Sequence, residues 1–140
     1  LQARAAGFEE DVLVAQLGQP GPVARDDLSA PAESWRALTL GTRDYLRKCG
    51  FKKALLGLSG GIDSAVVAAV AVAALGAQNV VGVLMPSPWS SQGSIDDSLA
   101  LAKNLGLATR TIPIAPLMHG FDAALAPSFA QLAPGAAPKR

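Results

Sequence analysis

The nine residues GLSGGIDSA, numbered 57–65, join two apolar runs of the chain through a short polar turn. Residues 53–58 predict a buried strand, and residues 62–75, rich in Ala and Val, predict a helix that ends at Gly76. A strand, a glycine turn and a helix in this order aim the first N–H groups of the helix at one point, where the helix dipole adds positive charge. The turn therefore predicts a site for an anion such as phosphate.

The turn differs from two common phosphate-binding sequences. A Walker A loop needs a longer glycine spacing and a Lys, and a dinucleotide fingerprint needs three glycines as G-x-G-x-x-G. Here Gly60 and Gly61 allow the backbone to approach an anion, and Ser59 and Ser64 add hydroxyl groups. Asp63 falls in the first helical turn, where it would repel phosphate unless Mg²⁺ bridged the two. We interpret the turn as a cradle for the pyrophosphate that leaves ATP.

Two further apolar runs predict two more strands. Residues 79–86 are continuously apolar, as is typical of a parallel strand buried on both faces, and residues 107–114 form the third strand. Between them, Ser94 and Asp97 fit the capping box of a helix. The buried face of this helix is predicted from its apolar residues at helical spacing: Ile95, Leu99, Ala102 and Leu105.

Helical spacing of apolar residues also predicts a helix from Ser34 to Cys49, which Gly50 ends and in which Cys49 is packed. Helix and strand then alternate three times. This order predicts an α/β fold, an open parallel sheet with right-handed crossovers and helices on both faces, Rossmann-like and incomplete. A purely structural alternative for the turn, in which Asp63 and Ser64 only cap the helix, is weakened by this surrounding order.

The remaining segments predict less regular structure. Residues 12–14 favour a short β-type run, and residues 18–33 have the Gly, Pro, Asp and Ser composition of a linker, which places a domain boundary near residues 20–32. The chain from Pro127 onward is proline-rich and is predicted to be loop or disordered. The fold is therefore expected to lie mainly between the linker and this tail.

Composition narrows the partners of the protein. In 140 residues, 12 Lys and Arg stand against 11 Asp and Glu without a dense basic run, which argues against a nucleic-acid or membrane-surface partner. The apolar run 65–75 is too short to span a bilayer, and no signal-peptide pattern opens the chain, so we expect a cytoplasmic protein. A single cysteine excludes an internal disulfide and a multi-cysteine metal site.

Several other polar and aromatic residues are weighed as functional candidates. We favour packing over a neighbouring helix, rather than adenine stacking, for Trp89, and a surface role for His119. The aspartate pair 96–97 is interpreted as favourable charge at a helix N-terminus rather than a catalytic pair. The serine pair 90–91 is left open between nucleotide donors and turn formers. The sequence assigns no catalytic residue.

Three segments carry a resemblance to known families. SGGIDS, residues 59–64, resembles the SGGxDS signature of the PP-loop ATP pyrophosphatases. Residues 80–107, with a strand ending in Met-Pro-Ser, a double serine and an acidic helix, resemble the corresponding stretch of NAD⁺ synthetases. Residues 1–17, which include FEEDVLV, resemble the closing strand of the nitrilase-like glutaminase domain of the glutamine-dependent form. The resemblance implies a glutaminase remnant with its linker over residues 1–24 and the first part of an ATP-binding synthetase domain over residues 25–140.

The resemblance also implies a reaction and its ligands. The family is a C–N bond-forming ligase that uses ATP and Mg²⁺ to adenylate the nicotinate carboxylate of deamido-NAD, after which glutamine-derived ammonia displaces AMP and gives NAD⁺. Asp63 would bind the magnesium. The residues that would contact ATP are Gly57, Leu58, Ser59, Gly60, Gly61, Ile62, Asp63, Ser64 and Met85.

The same resemblance sets expectations for what these residues do alone. The glutaminase residues are expected before residue 1, and the deamido-NAD site and a further metal ligand beyond Arg140, so these residues alone are expected to be inactive. The family also implies a homo-oligomer. Two alternatives stay open, namely another PP-loop adenylating ligase of the GMP synthetase or tRNA-modifying type, and a non-catalytic ATP-binding module.

Overall fold

The computed structural model describes residues 1–25 and 28–130. These residues form three strands that pair in parallel in the order β1-β2-β3, together with four α-helices. The elements are α1 (Ala30–Lys48), β1 (Ala54–Gly57), α2 (Ile62–Leu75), β2 (Val80–Leu84), α3 (Gln92–Leu105), β3 (Ala108–Thr111) and α4 (Ala115–Phe129), with a 3₁₀ turn at Ala77–Asn79. The predicted open parallel α/β sheet is confirmed, and α2 has the predicted bounds.

The two crossover helices share one face of the sheet. Right-handed crossovers between strands that follow one another in a single direction place α2 and α3 on the same side, and these helices contact each other, while α1 packs against α2. On the opposite face Leu55 is 73% exposed. The prediction that β1 is a buried strand is therefore wrong for one of its faces, because the described helices do not cover Leu55.

The core lies between the sheet and its crossover helices. Small residues on the helices allow close packing, and Ala68 is fully buried. The core cluster consists of Leu58, Ala68, Ala71, Val80, Leu84, Ala102 and Leu107. At its centre, a methyl group built on Gly82 of β2 would lie 2.6 Å from Leu58 Cδ1 and 2.9 Å from Leu107 Cδ1. The absence of a side chain at Gly82 therefore lets both leucines meet over the middle strand.

Gly82→Ala is expected to lower the free energy of unfolding by about 1–2 kcal/mol, because the added methyl overpacks the core between the two leucines. Gly41→Ala is the matched control, since a methyl there meets nothing within 4 Å on the exposed side of α1. That change is expected to stabilise the protein by about 0.5–1 kcal/mol. Urea denaturation of both variants measures the difference, and equal stabilities would contradict the tight packing at Gly82.

Helix α1 differs from its prediction in where it begins and in the exposure of Cys49. It begins at Ala30 rather than Ser34, with Pro31 in the first turn, a position where a missing N–H removes no helical hydrogen bond. At the other end Cys49 is the C-cap residue and is exposed, so the prediction of a packed thiol is wrong. The helix stops at this point as predicted, and Gly50 follows with a φ of 77°.

The N-terminal residues do not form the predicted strand. Residues 12–14 have irregular backbone, and Val12 is 91% exposed. The strand prediction is wrong because β-type residues need a neighbouring strand for their backbone groups, and the described chain offers none beside them. The start of the chain is instead joined to the following loop by a parallel bridge between Arg4 and Val23. The predicted boundary region 20–32 contains residues 26–27, which lie outside the described residues.

The start of α3 also corrects the prediction. Its N-cap is Ser91, not Ser94, so the aspartate pair 96–97 lies in the second turn rather than at the helix terminus. Asp96 instead accepts a hydrogen bond from the side-chain amide of Gln92 at 2.8 Å. Leu99 is exposed, and Ser98 takes its place on the buried face, because residues 95, 98, 102 and 105 form the stripe that follows one side of the helix.

Helix α4 was not predicted. It runs through Pro127, so the predicted loop begins in a helix, and residues 131–140 of that tail lie outside the described residues. Within the described part of α4 no residue is buried. None of the helices in residues 1–25 and 28–130 combines the length and the apolar character needed to cross a membrane.

Candidate functional site

The glycine turn connects the carboxyl end of β1 to the start of α2. Gly61 is the N-cap of α2, with φ −90° and ψ 158°, and it provides no side chain to cap the helix. The first N–H groups of any α-helix lack partners inside the helix. Gly60 has a φ of 77°, in the left-handed region that glycine adopts without strain. The turn therefore presents backbone donors at a helix N-terminus, which suits an anion.

Two serines hold the turn in a closed shape. The Ser64 hydroxyl donates to the carbonyl of Gly61 at 2.9 Å and accepts from the N–H of Ser59 at 3.3 Å. The Ser59 hydroxyl accepts from the N–H of Gly61 at 3.3 Å and lies 3.0 Å from the Ser64 hydroxyl. These four contacts join both ends of the turn, so its backbone is shaped by its own side chains.

A cavity of about 280 Å³ lies beside the turn at the carboxyl ends of β1 and β2. Ligands in open α/β sheets bind at this edge. The cavity is bordered by Gly57 and Ser59 from the turn and by Met85 from the end of β2. The Met85 methyl carbon lies 3.5 Å from the position of a methyl built on Gly57. The structure thus places Met85 and the start of the turn beside one cavity, which residues 60–64 do not border.

Asp63 is the second residue of α2, and its carboxylate is exposed. Over residues 1–25 and 28–130, no group of three or more His, Cys, Asp or Glu side chains could hold a metal ion. Mg²⁺ is usually bound through one or two carboxylates together with phosphate oxygens and water. An exposed single carboxylate beside an anion-binding turn fits that mode of binding, and does not fit an all-protein metal cage.

Of the other candidates from the sequence, Trp89 and His119 do not border the cavity, whereas Ser90 does. Trp89 is 60% exposed, and its backbone N–H donates to the Ser87 hydroxyl at 3.2 Å. His119 is exposed on α4, as predicted for a surface residue. Ser90 borders the cavity. Its hydroxyl also accepts a hydrogen bond from the N–H of Ser87 at 2.9 Å, which stabilises the turn after β2.

Sequence reasoning missed two serines of α3 at this site. Ser94 and Ser98 border the cavity, although Ser94 was interpreted only as a capping residue and Ser98 was not considered. A signal was present, because residues 91, 94 and 98 follow the three-and-four spacing of one helix face. That face belongs to the helix that follows β2, whose carboxyl end lies beside the turn.

An open parallel sheet with an anion-binding glycine turn after its first strand defines the class of nucleotide-binding α/β proteins. The model of the NAD synthase family matches residues 34–140, which is most of the chain. The chain therefore belongs to the NAD synthase family. The resemblance inferred from the glycine turn and the second strand is confirmed.

Two similar relatives are both described as glutamine-dependent NAD⁺ synthetases. The chain is 67% identical over 97 residues to a glutamine-dependent NAD⁺ synthetase of Synechocystis, which covers 69% of this chain and 17% of that protein. It is 55% identical over 89 residues to a protein of the same description from Thermotoga maritima, covering 64% of this chain and 16% of the relative. The chain thus spans about a sixth of the length of these relatives.

Solved structures agree with the fold. A glutamine-dependent NAD⁺ synthetase from Acinetobacter baumannii, in complex with ADP, superimposes with a TM-score of 0.76 and 36% identity over 87% of this chain and 22% of its own. An NMN synthetase from Francisella tularensis gives a TM-score of 0.62 and 31% identity over 76% of this chain and 42% of its own. Both likenesses extend over most of the described fold.

Proposed function

We propose that these 140 residues form the ATP-binding part of a glutamine-dependent NAD⁺ synthetase. In this reaction the carboxylate of deamido-NAD attacks the α-phosphorus of ATP and pyrophosphate leaves, giving an adenylated carboxylate. Ammonia released from glutamine then attacks the carbonyl carbon and displaces AMP, which gives the amide of NAD⁺. The observation that supports this most is the glycine turn at the carboxyl edge of the sheet, in a fold that matches an ADP-bound synthetase.

The predicted site residues have the following roles in binding ATP and Mg²⁺. The N–H groups of residue 60 and of residues 62–64 bind the phosphates, while the N–H of Gly61 donates to the Ser59 hydroxyl. Gly57 and Leu58 shape the approach, and Ile62 begins the helix whose dipole favours negative charge. Met85 lies along the nucleoside in the cavity that it borders with Gly57. Asp63 would hold Mg²⁺ together with the phosphates. When bound, the metal neutralises the charge that develops on the departing pyrophosphate.

The proposed division of the chain follows from the same assignment. Residues 1–24 would end a glutaminase domain and residues 25–140 would begin the synthetase domain. This division is supported by the start of the family match at residue 34 and by the separate pairing of the N-terminal residues, in which the N–H of Arg4 donates to the Pro22 carbonyl at 3.0 Å. Limited proteolysis of the full-length protein is expected to cut first within residues 20–32.

A homo-oligomer is part of the proposal. It is supported by α4, on which Leu117, Phe121 and Leu125 are exposed on one face at a spacing of four residues. Exposed apolar stripes of this kind are typical of surfaces that pack against another element. Light scattering on the full-length protein measures its mass directly.

A second candidate substrate comes from the likeness to the NMN synthetase of Francisella tularensis. That description implies amidation of a mononucleotide rather than a dinucleotide. The adenylation chemistry and the ATP site would be the same for both. The much higher identity to glutamine-dependent NAD⁺ synthetases favours deamido-NAD.

Pyrophosphate release by the full-length protein tests the proposed function. With ATP and Mg²⁺ present, we expect deamido-NAD to trigger release, and glutamine to raise the yield of amide. Release triggered by nicotinate mononucleotide alone would support the second candidate. Release triggered by xanthosine monophosphate or tRNA would overturn the proposal, and ATP binding without any release would indicate a non-catalytic nucleotide-binding module.

Ser64→Ala is expected to weaken ATP binding about tenfold. The Ser64 hydroxyl contacts the Gly61 carbonyl, the Ser59 N–H and the Ser59 hydroxyl, and each lost hydrogen bond costs about 0.5–1.5 kcal/mol. Without these bonds the turn must be ordered by the ligand itself. Calorimetric titration with ATP measures the change.

Ser87→Ala is the matched control, since the Ser87 hydroxyl also accepts a backbone N–H and contacts a second serine hydroxyl, but after β2 and outside the turn. We expect its ATP affinity to stay within about twofold of the parent, because the phosphate-binding turn keeps all of its bonds. Equal losses in the Ser64 and Ser87 variants would show that the bonds within the turn have no special part in ATP binding.

A further inference from the structure

The first turn of α3 lies directly against the glycine turn. A methyl group built on Gly60 would lie 2.6 Å from both the Cα and the carbonyl oxygen of Ser94, and 2.9 Å from its Cβ. The contact is with the backbone of Ser94, so no change of rotamer could relieve it. Ser94 borders the cavity at the strand ends, and Gly60 borders a groove between α2 and α3 that Gly61 and Asn104 also border. Gly60 therefore packs directly against the backbone of Ser94.

Two serines hold the backbone of Ser94 in place. The Ser91 hydroxyl accepts the N–H of Ser94 at 3.1 Å, and the two hydroxyls are 2.9 Å apart. The Ser98 hydroxyl donates to the carbonyl of Ser94 at 2.8 Å, and Ser98 is 1% exposed. Both backbone polar groups of Ser94 thus have side-chain partners.

The bonds from Ser91 and Ser98 are not equivalent. Ser94 is the third residue of α3, and the N–H groups of the first turn have no partner within a helix, so Ser91 supplies the partner of this N–H. The carbonyl of Ser94, in contrast, is in position to accept the regular helical bond from the N–H of residue 98. The Ser98 hydroxyl adds a second bond to an acceptor that already has one. Loss of the Ser91 hydroxyl therefore leaves the N–H of Ser94 without its partner, so the first turn of α3 is less well fixed. Loss of the Ser98 hydroxyl leaves the Ser94 carbonyl with its helical hydrogen bond.

We propose that Ser91 is a positioning residue for the phosphate-binding turn. It fixes the first turn of α3 through Ser94, and Ser94 in turn fixes Gly60, so that the N–H groups of the glycine turn converge on the phosphates before ATP arrives. This inference rests on the proposed function, because it assigns Ser91 a part in ATP binding. Ser91 acts through Ser94 and Gly60 and is not itself required to contact the nucleotide.

The test compares Ser91→Ala, Ser91→Thr and Gly106→Ala in the full-length protein. Ser91→Ala is expected to raise the Kd and the KM for ATP about fivefold. This factor corresponds to the typical free-energy cost of losing a helix N-cap, if that cost falls entirely on ATP binding. Ser91→Thr is expected to restore both values to within about twofold, because threonine also caps helices. The kcat and the KM for the carboxylate substrate are expected to stay unchanged in each variant.

Gly106→Ala is the control for a general loss of stability, because Gly106 is the C-cap of α3 with a φ of 70°, so a side chain there strains the far end of the same helix while leaving the N-cap intact. Its KM for ATP is expected to stay within about twofold of the parent even if its midpoint of thermal unfolding falls as far as that of Ser91→Ala. Equal ATP affinities for the Ser91→Ala and Gly106→Ala variants, or no rescue by Ser91→Thr, would overturn the inference alone. Failure of the unsubstituted protein to bind ATP would overturn the proposed function and the inference with it.

Discussion

Asp63→Asn is expected to lower the rate of pyrophosphate release about a thousandfold while ATP continues to bind. The proposed role of this carboxylate is to hold Mg²⁺ against the phosphates, and Lewis-acid stabilisation of a transition state is worth several kcal/mol, about 1.4 kcal/mol for each factor of ten. Asn keeps the size of the side chain and is accepted near a helix N-terminus, so α2 should still form. Rapid-quench measurement of pyrophosphate with deamido-NAD present, together with calorimetric titration of ATP, separates chemistry from binding.

Asp96→Asn is the control for Asp63→Asn. Asp96 is an exposed carboxylate in the second turn of α3, bonded to Gln92, and it does not border the cavity at the strand ends. We expect its turnover to stay within about twofold of the parent. Turnover of Asp63→Asn within threefold of the parent would contradict the metal assignment. It would favour the alternative in which Asp63 only provides negative charge at the start of α2, worth about 0.3–1 kcal/mol of stability.

Gly60→Ala is the second change with a large expected effect. We expect the free energy of unfolding to fall by about 2–4 kcal/mol and ATP affinity to fall at least about thirtyfold. Two causes add together. A φ of 77° is unfavourable for any L-residue with a side chain, and the new methyl would lie 2.6 Å from backbone atoms of Ser94. Either the turn or the start of α3 must move, and both movements displace the N–H groups that bind phosphate.

Gly61→Ala is the matched control, one residue along the same turn. Its φ of −90° suits alanine, and a methyl there would meet only the Ser59 hydroxyl, at 3.4 Å. We expect a stability change below about 1 kcal/mol and a smaller loss of ATP affinity than in Gly60→Ala. Urea denaturation and ATP titration of both variants make the comparison. Equal losses of affinity with unchanged stability would show that the ligand, and not α3, sets the need for glycine at position 60.

The parts of the fold that were predicted correctly depend on local signals. Helix α2 has the predicted bounds because the glycines on either side of it act on their own backbone and need no distant partner. The parallel order of the strands follows in the same way from alternation of helix and strand along the chain. The position of the glycine turn was predictable because its spacing between β1 and α2 is itself the signal.

Other elements depend on partners that local patterns do not reveal. Helix α4 contains Pro116, Gly120 and Pro127, which argue against a helix. Pro116 nevertheless falls in the first turn, where proline is tolerated. Cys49 continues the apolar spacing of α1 but falls at its C-cap, where the chain leaves the helix and the thiol is exposed. In both cases the structural effect of the residue depends on where the helix ends. Pro116 is tolerated because α4 begins beside it, and Cys49 is exposed because α1 ends at it.

The glycine turn, its serines and Asp63 could be predicted as a candidate anion site from the chain alone, because neighbouring residues build the whole motif. The side chains that other elements bring to that site could not be predicted in the same way. Met85, Ser90 and Ser94 reach it only because β2 pairs beside β1 and α3 returns across the same face of the sheet. The close approach of Ser94 to Gly60 joins residues more than thirty positions apart. No local pattern encodes that approach, since it depends on packing density between two helices and a sheet rather than on any property of either segment.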